Sequence, residues 1–131
     1  MIKFKHKEDM ELLATLHPIL IMIFADAWNY AYDKHGVHMT VTQTVSTYEQ
    51  DKKLNRVSDS HRTKRAIDVR TKDLPAHVVY DVVNYINEHP MYTKYHYVSR
   101  SGATRLAYWH NNGNGEHLHI AIHSKFAIRE Y

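Results

Sequence analysis

The run GEHLHIAIH at residues 115–123 alternates without a break: Leu118, Ile120 and Ile122 fall on one side of an extended chain, and His117, His119, Ala121 and His123 on the other. A strand of this kind sends its apolar side to a core and leaves its histidine side to a groove or to solvent, so the fold must contain a sheet with one covered and one open face. Strand backbone is rigid and holds imidazoles in fixed directions, as metal ligation requires. Taken alone, His-x-His equally fits surface histidines on a half-exposed strand.

The covering layer is legible upstream. From Glu11 the chain reads as helix, with Pro18 in a first turn, where its missing N–H costs nothing. Ile19, Ile21, Met22, Ile23, Ala25, Ala27 and Trp28 form a broad apolar surface running toward Tyr32, and Gly36 stops it. Residues 38–44 (HMTVTQT) alternate and are rich in β-branched side chains, which predicts a strand before a short polar helix over 47–54. A polar loop over 55–64 (NRVSDSHRTK) leads into Ala66-Ile67-Asp68-Val69, a second strand. Pro75 opens another helix with Val78, Val79, Val82, Val83 and Ile86 on one face, and Pro90 ends it. Strand-like runs around 95–99, 105–110 and 116–123 follow, separated by turns at Ser101-Gly102 and across 111–115, and read as an antiparallel meander. The expected class is α+β: a single domain over residues 1–131, an antiparallel sheet with N-terminal and central helices.

Composition narrows the chemistry. Hydrophobic residues at 44% and charged residues at 24% suit a soluble globular chain, and at 131 residues one core suffices. With no cysteine, neither disulfides nor thiolate zinc sites are possible, so a metal must be held by imidazole and carboxylate. The apolar N-terminal stretch is interrupted by His17 and Pro18 and is too short to span a bilayer, and it lacks a small-residue cleavage site. No membrane span, synthesis in the cytoplasm without a signal peptide, and a monomer are therefore expected. A net charge of +3 with a pI near 9.0 suits an anionic partner, and equally suits simple solubility.

Asp68 is the odd residue. A carboxylate is disfavoured inside a strand and costly to bury alone, so a cation or a set of donors must meet it. His61 precedes it by seven positions, and loop plus strand can bring both to His119. Two imidazoles and one carboxylate leave a fourth tetrahedral position for water, the arrangement of a catalytic rather than a structural zinc site. An ion pair of Asp68 with Arg65 or Arg70 is the plainer alternative.

His61-x6-Asp68 followed by His117-x-His119 resembles the metallopeptidases that share a fold with D-alanyl-D-alanine carboxypeptidases and the Hedgehog signalling domain, small phage endolysins among them. The order helix, strand, Thr47-Tyr48-Glu49-Gln50 helix, His/Asp loop and closing His strand follows that plan over most of the chain. The resemblance implies one zinc ion per chain, held by His61, Asp68 and His119. It implies Glu116, three residues before the last ligand, as general base and acid, and His117 beside the metal as a second catalytic group. In an unbroken strand, however, Glu116 points away from His119, so the glycine-rich turn before it must bend the chain. Gln50, Ser60, Arg65 and Trp109 are the expected substrate contacts, and Tyr108 also borders the Asn/Gly turn. Two departures stand out: Lys64 occupies a position where the family commonly has glycine, and Val45, Ser46 and Thr47 offer no arginine before the Gln50 helix, a role that Arg56, Arg62 or Arg65 would have to fill.

The function this implies is hydrolysis of a peptide bond in the peptidoglycan stem peptide, as an L-alanyl-D-glutamate endopeptidase or a D-Ala-D-Ala carboxypeptidase of endolysin type acting on the cell wall, with no nucleic acid partner. Two other classes remain. Single-strand DNA nucleases and transposases also use His-hydrophobic-His with a tyrosine, but such a reading leaves His61 and Asp68 unemployed. A binding module that keeps the peptidase fold without turnover is compatible with Lys64 and the missing arginine.

Overall fold

Local sequence punctuation sets the elements. In the computed structural model, which describes residues 2–110 and 115–129, the order is β1 (Lys3–Phe4), α1 (Lys7–Leu12), α2 (Pro18–His35), β2 (Thr40–Gln43), α3 (Tyr48–Lys53), β3 (Ala66–Arg70), α4 (Ala76–Glu88), β4 (Tyr97–Val98), β5 (Thr104–Arg105), β6 (Ala107–His110) and β7 (His117–Ala121). The chain is a small α+β domain with a mixed sheet. Pro18 opens α2 behind His17, whose ring accepts from the Ile19 N–H, and Gly36 closes it in a left-handed conformation at φ 68° with its N–H on the Tyr32 carbonyl.

The single helix expected from Glu11 is two. A short 3-10 turn over Leu13–Thr15 and an extended Leu16 separate α1 from α2, because the X-Pro step at His17-Pro18 disfavours helical backbone before the proline. The meander is also divided. β4 and β5 form a separate two-stranded hairpin, and residues 90–95 are 3-10 helix, so only β6 and β7 enter the main sheet. That sheet runs β1-β2-β3-β7-β6, and its β1–β2 pair is parallel, where an antiparallel sheet was expected. The two-residue β1 is too short to carry a periodic signal. The turn expected across 111–115 lies, apart from Gly115, outside the described residues.

The covered face is apolar. Val41, Ile67, Val69, Leu118 and Ile120 pack on Leu20, Ile23, Phe24 and Ala27 of α2 and on Val78, Val82 and Ile86 of α4, all at most 3% exposed. Each such side chain contributes about 1.5–3 kcal/mol of burial. Val83, expected on the same helix face, is only partly buried at the edge of this cluster. Asn87 of α4 grips the start of β6, accepting from the Leu106 and Ala107 N–H groups at 2.8 Å and donating to the Ala107 carbonyl at 2.9 Å. Among the described residues, no helix is long and apolar enough to cross a membrane.

A polar clamp holds α2 to α4. The Tyr30 and Tyr85 rings stack at 3.9 Å, and Asp81 accepts from the Tyr30 hydroxyl at 2.9 Å and meets His35 Nε2 at 2.7 Å and Lys34 Nζ at 3.0 Å. The His35 and Lys34 hydrogen bonds, aided by Tyr30 and opposed only by slight burial, bring the Asp81 carboxyl from its ordinary 3.8 to about 2. A depressed carboxylate pKa stabilises the fold above 3.8, and that contribution is lost as pH falls toward 2. The stability difference between wild type and Asp81→Asn, followed by urea unfolding at successive pH values, is therefore expected to shrink as pH falls between about 4 and 2. A difference independent of pH across that window would show that the clamp is not electrostatic.

Candidate metal centre

The register of two antiparallel pairs builds the site. β3 lies between β2 and β7, and Asp68 stands directly opposite His119, with Arg70 opposite His117. On the far side of β7, Tyr108 faces His119 and His110 faces His117. Alternation therefore places Asp68, His117, His119, Tyr108 and His110 on the open face, away from the helices.

Asp68 is 4% exposed, and two imidazoles meet its carboxylate: His119 Nδ1 at 2.8 Å from Oδ1 and His61 Nε2 at 3.1 Å from Oδ2. The nearest guanidinium is that of Arg56, 3.9 Å from Oδ2. Neither Arg65 nor Arg70 supplies that charge, which answers the plainer alternative for this carboxylate. His61 arrives from a tight loop in which the Thr63 N–H bonds to Asp59 and the Lys64 N–H to His61 itself. Its Nδ1–H donates to the Thr44 carbonyl at 2.8 Å, which leaves Nε2 as the ring atom turned to Asp68. Burial works against charge on all three groups. For Asp68 the surrounding imidazoles outweigh it and hold the carboxyl well below the usual range; for His61 the Asp68 charge outweighs it and raises the pKa; for His119 burial prevails and lowers it.

One donor atom from each of His61, Asp68 and His119 lies within 4.8 Å of the other two, so the three could hold a metal ion. Two imidazoles and one carboxylate are a donor set of the kind that zinc takes. The His61–Thr44 bond supplies the outer-shell partner that metal-binding imidazoles require.

The centre opens on a groove of about 1600 Å³ that Asp68, Glu116, His117, Gln50, Arg56 and Arg62 help to line. β7 begins only at His117 and Gly115 adopts a left-handed φ of 79°, so Glu116, which lines the groove, lies outside the alternation of the strand. The His117 Nδ1–H donates to the Gly115 carbonyl at 2.9 Å, leaving Nε2 as an acceptor 3.8 Å from Asp68 Oδ2. His123 lies beyond the strand and instead caps the 3-10 turn over Ser124–Phe126, so it leaves the ligand row.

The expected substrate contacts divide. Gln50 borders the groove, but its Oε1 accepts from the Thr47 N–H while Thr47 Oγ1 accepts from the Gln50 N–H. That reciprocal capping box is legible in Thr47-x-x-Gln50. Ser60 is 3% exposed beneath the loop and is not on the groove. Arg65 is 9% exposed and ties the loop to the strand end, donating to the Ile122 carbonyl at 3.0 Å and to Asp59 at 3.1 Å. Trp109 alternates to the other sheet face, where its Nε1 donates to Thr71 at 3.1 Å and its ring meets Tyr80 edge-on. Sequence reading missed Asp51. It is 3% exposed and gathers Ser46 Oγ at 2.6 Å with Arg56 and Arg62, each at 3.3 Å. Nothing in its sequence neighbourhood marks it, because its partners are set by how the loop returns.

The departure at Lys64 has a backbone explanation. Lys64 adopts φ 62°, the left-handed region in which glycine is unstrained. Lys64→Gly is thus expected to keep the loop and its metal affinity, whereas Lys64→Val destabilises by about 1–2 kcal/mol, as thermal unfolding would measure. Asp68→Ala and His119→Ala are expected to purify without bound zinc by metal analysis, while zinc at 100 times its Kd stabilises the wild type by about 2.7 kcal/mol. Unchanged zinc content in both variants would dismiss the centre. No protein-family model, no curated protein and no solved structure matches this chain, so these residues carry the functional reading by their geometry.

Proposed function

We propose that this chain is a zinc-dependent peptidase that hydrolyses a bond in the peptidoglycan stem peptide, on the fold shared by D-alanyl-D-alanine carboxypeptidases and the Hedgehog signalling domain. The observation that carries the reading is the convergence of His61, Asp68 and His119 on one buried point beside a groove. A nuclease built on His117 and His119 would leave two of those three groups without employment.

A zinc ion held by these residues supplies a Lewis acid that acidifies water and polarises a carbonyl. Glu116 takes the proton of the attacking water as the C–O bond forms, and passes it to the departing amine nitrogen as the C–N bond breaks. His117, with Nδ1–H committed to Gly115, presents an acceptor Nε2 toward the same point. In that neutral form it orients water or shares the base role; stabilising an oxyanion would require its protonated form.

Arg56 fills the role of the arginine absent before α3. Asp51 and Asp68 hold its guanidinium between them at the groove, half-hidden and therefore preorganised, where it meets the negative charge that develops on the carbonyl oxygen. Arg62, aimed by the same Asp51 and lying over the Tyr48 ring, adds positive charge along the groove. Such a lining favours a substrate that carries carboxylates, as stem peptides do.

Purified cell-wall sacculi incubated with the zinc-loaded protein are expected to release new amino groups, and a chelator should stop the release. Glu116→Gln is expected to keep zinc and lose at least about 100-fold in kcat; Arg56→Ala is expected to keep zinc and lose about 100-fold. Equal activity in Glu116→Gln would transfer the base role to His117. Cell-wall hydrolysis that survives removal of zinc would refute the peptidase assignment, and cleavage of single-stranded DNA with a covalent tyrosine adduct would replace it by the nuclease.

A further inference from the structure

Asp9 is a buried carboxylate that the proposed chemistry does not use. It sits on α1 and is 7% exposed, and its Oδ1 accepts from both the Thr44 N–H at 2.7 Å and the Thr44 hydroxyl at 3.0 Å. Thr44 is fully buried and follows Gln43, the last residue of β2, so its N–H lies just past the end of the strand ladder. Asp9 takes the place of a neighbouring strand there. On its other side, the Thr44 carbonyl accepts the His61 Nδ1–H at 2.8 Å. One residue thus donates a charge-assisted hydrogen bond through its N–H and orients a metal ligand through its C=O.

We propose that Asp9 is a positioning residue for the metal centre, acting through Thr44 to fix the tautomer and direction of His61. The proposal rests on His61, Asp68 and His119 being metal ligands. His61 is 4% exposed, so its Nδ1–H needs a buried acceptor, and the Thr44 carbonyl supplies it while Nε2, the atom that would ligate a metal, faces Asp68 at 3.1 Å. A bond to a carboxylate is stronger and more sharply directed than one to a neutral oxygen, so Asp9 holds the Thr44 backbone where a mere strand end would fray. The N-terminal segment, joined to β2 through β1, thereby becomes part of the centre although it contributes no ligand.

The test uses the full chain, with zinc affinity from chelator competition and the visible absorption of the cobalt-substituted protein as a report on ligand geometry. Asp9→Ala is expected to weaken zinc binding by about tenfold to a hundredfold and to alter the cobalt spectrum. Asp9→Asn keeps an acceptor oxygen without the charge and is expected to lose only about threefold to tenfold, a partial rescue. If Asp9→Ala binds zinc as tightly as wild type while its metal-free form merely melts earlier, the carboxylate is structural and the proposal is overturned. Should Asp9→Ala fail to fold, Asp9→Asn decides, and wild-type affinity with a wild-type cobalt spectrum in that variant overturns it. A wild-type protein that takes up neither zinc nor cobalt overturns the metal centre itself, and this proposal with it.

Discussion

The carboxylate of Asp68 is the constraint on which the rest of the site depends. It is buried in the middle of a strand, where an unpaired charge would be prohibitive, and His61 and His119 meet it directly while His117 and Arg56 stand 3.8 and 3.9 Å away. Two of them, His61 and His119, form with Asp68 the group that could hold a metal ion, so the pairing that relieves the buried carboxylate also gathers the donor atoms.

The sheet makes this possible by dividing its labour between faces. Ile67, Val69, Leu118 and Ile120 anchor β3 and β7 to the helices, so the intervening Asp68, His117 and His119 are held by residues that never touch the site. A one-residue slip between the strands would move the whole polar set into the core. The loop carrying His61 gains its rigidity differently, from the Arg65 bridge to Ile122 and Asp59 and from the left-handed backbone at Lys64. A lysine tolerates that conformation at a modest cost.

Much of the architecture was readable from pattern. The helix beginning at Pro18, the Val-rich face of α4, the strand at Asp68 and the alternation of β7 all rest on local periodicity, which survives folding because it is what folding uses. The cluster of His61, Asp68 and His119 that could hold a metal ion was readable too, since the three combine a chemical need with an order along the chain. The substrate contacts were less so. Arg65 was a stand-in for the arginine absent before α3 and Trp109 borders the Asn/Gly turn, yet one bridges a loop to a strand end and the other alternates to the helix side. Residues of the second layer, Asp9, Thr44 and Asp51, carry no local signature, because each is defined by a partner remote along the chain or on a returning loop.

The amino-acid sequence by itself determined the residue types able to bind a metal, the absence of any thiolate alternative, the face of β7 on which His117 and His119 stand, and the helix breakpoints at Pro18, Gly36, Pro75 and Pro90. These are properties of side-chain chemistry and of one-dimensional period. Only the tertiary structure decided that the Asp68–His119 register closes the site, that Arg56 rather than Arg65 reaches it, that Glu116 lies outside the alternation of β7 and lines the groove, and that α1 braces His61 through Thr44. Those outcomes depend on distances between segments far apart in the chain, and such distances follow from how the sheet and helices pack together rather than from any local preference.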